Sequence, residues 1–390
     1  VSNVIDKKDS LLIGAQVVAI DDESVPDLVN KFKTYFTSDG YNKTLQKRFV
    51  KNRFKSFFYI NKGVIDSLNV TFKKNDSTYL RVFKRVAKTT IKVDSTQVDK
   101  TIKDKRLTKA ERKVNKERLK EKRKLNYKYG YIKSRKEFTR NLKYIGKDSN
   151  IAYMKIRSFT TGGYEDFYKE SFAKIDSLKT KDLIIDLRDN GGGRLSEIDD
   201  LYSYLAIDDY IMINPCEVNS RIPFLKMFMS NTTSVSTKMF IGVLSPFLLV
   251  HNFLKVKKED GKLFYKFKQS KIKKPNAIGY KGKIYVLING NSFSASSIIS
   301  TKLKATGRAV FVGEETGGAY NGTVAGIFKN YKLPTSNINV RIGLMQLEAP
   351  HKIAPDGYGV TPDVKISPSL QDRLSGKDPE LNWILNEIEK

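Results

Sequence analysis

Two stretches downstream of residue 148 run a short apolar strand directly into a turn of small residues, and this commits that part of the chain to an α/β fold. The first, DLIIDLR at 182–188, has the unbroken apolar run of a strand buried on both faces and opens into Asp189, Asn190 and the triple glycine Gly191, Gly192 and Gly193. The second, KIYVLING at 283–290, passes through Asn291, Ser292 and Phe293 into SASSIISTKLKATG, which has the composition of a helix and stops at Gly307. AVFVGEE at 309–315 is again a strand. Ahead of all three, IAYMKIRSF at 151–159 reads as a strand and YEDFYKESFAKIDSL as a helix with an apolar stripe at Phe167, Phe172 and Ile175. Between the two blocks, 214–276 reads as an irregular insertion in the size range of a lid or small subdomain.

The front of the chain has a different texture. QVVAI at 16–20 predicts a strand, Asp21 and Asp22 a turn, and the residues after Pro26 an amphipathic helix. Two strand-like runs around Lys73, Lys74, Asn75 and Asp76, between Ile65 and Val86, predict a hairpin. Charge then marks a boundary. The net charge is +29, and between Lys100 and Lys147 there are 20 basic residues against 5 acidic ones. Within that stretch Thr108 and Glu111 have capping-box spacing ahead of a helix whose apolar residues are only Val114, Leu119 and Leu125, so an exposed helix or solvated linker is expected. Contact with an anionic surface through 100–147 stays open. Without interleaved aromatics or a groove-reading motif, a nucleic-acid partner is not expected. The divisions expected are 1–97, a basic helical linker over 98–147, and 148–390.

One cysteine, Cys216, permits no internal disulfide, and with only two histidines a zinc site built from Cys and His is nearly excluded. No metal or organic cofactor is implied. The longest apolar run, Met239 to Val250, is interrupted by Pro246 and falls short of the roughly 20 residues of a spanning helix, which predicts a buried or lid-like segment. The chain opens at Val1 without a charged and apolar leader, so it reads as a processed or trimmed product.

Chemistry concentrates where the strands end. Three glycines free the backbone to aim N–H groups at an anion, and a serine at the head of a helix sits where the macrodipole favours negative charge. A plain turn and a plain N-cap are the competing readings. A third strand end supplies Glu314, Glu315, Thr316, Gly317 and Gly318, and further on stand Asp356-Gly357-Tyr358-Gly359-Val360-Thr361-Pro362-Asp363-Val364.

In this order, from about residue 150 to 367, these motifs resemble the S41 serine peptidases, the family of tail-specific processing peptidases and of the tricorn core. Residues 10–36 are similar to the second half of a PDZ-like domain, with Gly14-Ala15 and Asp21-Asp22 where that family has Gly-Asp and Asp-Gly; the loop that opens such a domain would precede Val1. The resemblance implies a crotonase-like (ClpP/crotonase) α/β core behind a β-rich PDZ-like domain, and a serine endopeptidase acting on polypeptides. Ser294 matches the nucleophile. Gly192, with Gly193 as the near alternative, matches one oxyanion donor and Ala295 the other. The lysine-dependent branch has its base about twenty-five residues after the serine, where this chain has Tyr320 and Asn321. The tricorn-like branch uses a histidine from earlier in the chain and a late carboxylate, matched here by Asp356 with Glu348 as runner-up. His251 and His351 both stand outside the histidine's place, so the expectation is a base upstream of Val1, with recruitment of His351 or a catalytically inactive peptide-binding scaffold as alternatives. The resemblance also implies an extracytoplasmic setting, periplasmic or surface-anchored.

Overall fold

The computed structural model describes residues 1, 4, 7–85 and 108–390. The boundary drawn at 97 and the first part of the basic stretch lie outside the described residues. The chain forms two compact units, one built from Val1–Thr37, Phe49–Tyr127 and Ser369–Lys377, the other from Ser38–Arg48, Lys128–Pro368 and Asp378–Lys390.

The first unit holds an antiparallel four-stranded sheet in the order Glu23–Ser24, Gln16–Ile20, Ser67–Lys74, Ser77–Lys84. Helix Val25–Lys33 starts at Ser24, whose hydroxyl accepts from the Asp27 N–H at 3.2 Å, with Pro26 in the first turn, where its missing N–H costs nothing. Its buried Leu28 and Phe32 pack with Val50, Phe57 and Phe58. Helix Lys109–Tyr129 carries the capping box, with the Glu111 carboxylate accepting from the Thr108 N–H at 2.7 Å and the Thr108 hydroxyl accepting from the Glu111 N–H at 3.2 Å. None of its residues is buried.

The second unit is organised by a six-stranded sheet in the order Val364–Lys365, Val310–Gly313, Lys283–Ile288, Asp182–Asp186, Ile151–Ile156, Arg140–Ile145. All pairs are parallel except the last. Parallel strands need cover on both faces. Helices Glu165–Ser177, Leu195–Ser203 and Ala295–Ala305 cover one face, where Phe167, Phe172, Ile175, Leu201 and Ile299 meet the strands. Helix Pro379–Ile388 covers the other through Ile384. A fully buried ion pair crosses the first core: Arg140 Nη1 donates to Glu197 at 3.0 Å, its second nitrogen donates to the Thr161 carbonyl at 2.6 Å, and Arg194 reaches Glu197 at 2.7 Å. Charge so buried is tolerated because its hydrogen bonds are met.

The region 214–276 is not irregular, contrary to the sequence reading. Cys216–Val218, Val256–Glu259 and Lys262–Tyr265 join a second sheet in the order Val256–Glu259, Lys262–Tyr265, Cys216–Val218, Met345–Glu348, Gly322–Val324. Strands of three or four residues leave no alternation long enough to detect. The apolar run is not buried either. It belongs to helix Val235–Lys255, which continues through Pro246 with most of its length exposed.

On helix Leu195–Ser203, Asp200 has its carboxyl pushed up to about 6 by desolvation and by the neighbouring Glu165, Asp199 and Glu197. A folded-state value above the unfolded one means that this group favours the fold below pH 3.8 and withdraws that support as pH rises through about 6. Asp200→Asn is therefore expected to raise stability at pH 7 by about 1 kcal/mol, after screening by the solvent at its surface, and by only a small fraction of that near pH 4. Thermal midpoints of both proteins at the two pH values check this.

Candidate active site

The three strand ends meet through short polar side chains that tie turn to turn. Asp186, at the end of its strand, is fully buried and holds Arg188 through three hydrogen bonds of 2.9–3.0 Å to its backbone and guanidinium, while Tyr153 donates to it at 2.5 Å. Arg188 in turn reaches Asp378 at 2.8 Å. Asn190 is also fully buried, donating to the Ile156 carbonyl at 2.9 Å, while its backbone oxygen accepts from the Phe293 N–H at 3.0 Å. Ser292 donates to the Leu187 carbonyl at 2.8 Å, and Asn289 and Asn291 both donate to Asp189. Ser292, Asn289 and Asn190 are thus turn-building residues, and their network leaves Ser294 little freedom.

Ser294 occupies the N-cap position of helix Ala295–Ala305 with φ 56° and ψ −123°. A non-glycine residue in that conformation costs of order 1–3 kcal/mol and persists only where its surroundings impose it. Its side chain caps nothing, so the plain N-cap reading fails here. The helix behind it is buried along nearly its whole length. The Ala295 N–H, in the first turn, has no backbone acceptor among the described residues.

The triple glycine faces this serine. Gly192 has φ +95°, and a Cβ there would stand 2.6 Å from the Phe293 carbonyl oxygen, 2.8 Å from the Ala295 nitrogen and 2.8 Å from the Ser294 Cβ. Its own N–H, however, donates to the Asn190 side chain at 2.9 Å. Gly193 is paired through its neighbours to Phe159, and among the described residues its N–H has no acceptor. The backbone donor left open is therefore Gly193, which the sequence ranked second. Gly318 closes the third side, where a Cβ would come within 3.0 Å of the Ser294 nitrogen.

These residues open onto a groove of about 510 Å³ lined by Gly192, Gly193, Ser294, Thr323, Val324 and Phe328, among others. Strand Gly322–Val324 lies at the edge of the second sheet, so one side of its backbone is unpaired within the sheet.

The other candidates lie elsewhere. His351 stands 3.3 Å from the Nζ of Lys302, a residue whose backbone lies eight positions, about 12 Å, along the helix from Ser294. Burial and the Lys302 charge hold its pKa below the ordinary histidine value. His251 is exposed and touches the rings of Phe224 and Tyr265. Asp356 is exposed and accepts from the N–H of its neighbour Gly357. Glu348 pairs with Lys352 at 3.0 Å. Glu314 is held by Arg48 at 2.6 Å and Ser367 at 2.9 Å, and Glu315 accepts from the Gly359 N–H, so both brace loops. Tyr320 is buried, and Asn321 exchanges two 2.8 Å hydrogen bonds with Ile353. Cys216 is buried, with its thiol pushed up to about 12 by desolvation, which disfavours the thiolate.

One carboxyl that the sequence did not single out lies beside the groove. Asp39 interacts with the Thr323 hydroxyl and the Ala319 N–H, one residue from each of the groove-side positions Val324 and Gly318. Its Oδ2 is buried with no hydrogen-bond partner. Desolvation pushes its pKa above the ordinary aspartate value, against the pull of those two interactions.

Comparison with known proteins adds the family. The sequence profile described as Peptidase family S41 matches residues 150–366, more than half of the chain. The chain belongs to peptidase family S41. The matched span contains all three strand-end loops. A curated relative, the tail-specific protease of Haemophilus influenzae, is 30% identical over 175 residues, which is 45% of this chain and 18% of that protein. The chain thus spans about a fifth of that relative's length. Among solved structures, mature CPAF is similar with a TM-score of 0.60 at 15% identity, covering 100% of this chain and 78% of that one. Mature CPAF complexed with lactacystin gives 0.57 at 14% identity, covering 97% and 77%. At such identities the S41 likeness concerns the fold.

Proposed function

We propose that this S41 chain is an endopeptidase that cleaves polypeptides through an acyl-enzyme on Ser294. The observation that carries the reading is the conformation of Ser294, strained, uncapped and set at the head of a buried helix opposite the glycine turn. Its Oγ attacks the peptide carbonyl carbon, the Oγ–C bond forms, and the C–N bond breaks. Negative charge developing on the carbonyl oxygen is met by the Ala295 and Gly193 N–H groups, supported by the helix dipole. Gly192 shapes the turn, its N–H being taken by Asn190. We assign the hydroxyl proton to the Asp39 carboxylate, on the support of its interaction with Thr323 of the groove wall; from there the proton goes to the leaving amine, and water then hydrolyses the ester by the reverse transfer. Asp356 has no step in this reading. The substrate lies extended along the edge strand Gly322–Val324, where unpaired backbone groups accept a further strand.

The finer fold reading is likewise proposed: a crotonase-like core, supported by the parallel sheet with its helix-heading serine, and a PDZ-like front, supported by the strand, turn and helix over 16–33. The tail-specific relative favours an extracytoplasmic setting.

A fluorophosphonate probe tests the chemistry without knowledge of the substrate. One probe per chain is expected, lost in Ser294→Ala, as read by intact mass. Folded protein that takes up no probe would favour the second reading, a peptide-binding scaffold, which the engagement of His351 with Lys302 and of His251 with Phe224 and Tyr265 also favours.

A further inference from the structure

Helix Val235–Lys255 is the one helix among the described residues long and apolar enough to cross a membrane, and almost none of its apolar stretch is buried. In water such a helix would pack its apolar residues inward. Here Met239, Phe240, Val243, Phe247, Val250 and Phe253 face outward, with Val243, Phe247 and Phe253 each more than 70% exposed. At 100° per residue these six fall within an arc of about 140°. Ile241, Leu248 and Asn252, on the opposite side, are half-buried or buried.

The helix does not span. Just before its N-terminus, Asn231 exchanges hydrogen bonds of 2.6 and 2.9 Å with Lys332 on the strand Phe328–Lys332, and its C-terminus runs into strand Val256–Glu259 of the second sheet. Both ends are held by one folded body, so the helix can only lie along a surface.

Two further observations specify that surface. Pro246 cannot donate to the Gly242 carbonyl, and Ser245 Oγ donates to it instead at 2.7 Å, so the helix satisfies internally a group that water would otherwise serve. From 221 to 258 there are six basic residues and no acidic one. Lys238 and Lys255 stand near the two ends, off the apolar arc, where their charges can reach headgroups. A symmetric contact with a second copy would set these basic residues against one another.

We propose that Val235–Lys255 is an in-plane membrane-binding helix that seats the second unit on an anionic lipid surface, with its apolar arc among the acyl chains and the flanking lysines on the headgroups. Nothing in this depends on the catalytic reading.

Flotation of the full chain with phosphatidylglycerol vesicles and with phosphatidylcholine vesicles tests it, beside the double variant Phe247→Glu, Phe253→Glu. Both positions are solvent-exposed, so the variant is expected to keep the parent thermal midpoint. The expected result is flotation with the anionic vesicles, at least about tenfold less with phosphatidylcholine, and at least about tenfold less for the double variant. Absence of flotation with either lipid, or equal flotation of parent and variant, overturns the proposal. So does a dimer in sedimentation that the variant dissolves while no vesicle is bound, which would assign the arc to a second copy.

Discussion

Replacing Gly192 by alanine is expected to slow labelling of Ser294 by a fluorophosphonate about a hundredfold, whereas the same change at the adjacent Gly191 leaves the rate within about twofold. The two glycines differ in what a methyl group would meet. At Gly191 there is nothing within 4 Å and no left-handed backbone. At Gly192 the Cβ would overlap the Phe293 oxygen, the Ala295 nitrogen and the Ser294 Cβ, all within 2.8 Å, at φ +95°. Backbone atoms cannot rotate away, so the turn bearing the nucleophile must shift. A displacement of about 1 Å in a positioned nucleophile is worth about a hundredfold in rate, or about 2.7 kcal/mol. The left-handed backbone adds a stability cost of about 1–2 kcal/mol, read as a lower thermal midpoint. Equal labelling rates for the two variants would show that the glycine turn does not abut a working serine.

That contrast also marks where the sequence stops being informative. The strand ends were legible because each joins an apolar run to residues with one physical use, glycines for a turn and Asn, Asp or Ser for bracing it. Which of Gly191, Gly192 and Gly193 touches the serine was not legible. The answer depends on the Asn190 side chain, which takes the Gly192 N–H and leaves that of Gly193 open. The front strand, turn and helix and the hairpin were readable from local pattern, and Thr108 and Glu111 cap their helix as the spacing required. The second sheet was not, because its strands are short and gather from 216, 256, 262, 322 and 345 onward. Reading Pro246 as a break failed because Ser245, one residue before it, restores the lost hydrogen bond. Asp39 was invisible for a simpler reason. It stands 255 positions before Ser294 with no motif around it, and only the packing of Ser38–Arg48 into the second unit brings it beside Thr323.

Asp39 is where the proposed mechanism is most exposed to test. Asp39→Asn removes the proton acceptor while preserving shape, and is expected to lower both the labelling rate of Ser294 and any peptide hydrolysis by about a hundredfold or more, the usual reach of a general base. The pH profile separates this from structural damage. Only the ionised carboxylate accepts a proton, so the parent rate should fall as pH drops through the Asp39 pKa. Desolvation places that value above 3.8, the ordinary aspartate value. In Asp39→Asn that limb should vanish and leave a low, flat rate, while Asp39→Glu should restore part of the rate and the limb together. A purely structural role predicts otherwise: lower stability, with the surviving activity keeping the parent profile. Burial of Oδ2 without a partner makes the same point energetically, since a carboxylate oxygen hidden from water and unbonded is costly unless something else uses it. If Asp39→Asn labels at the parent rate with the parent profile, the base lies elsewhere, and Ser294 labelling still stands or falls on its own.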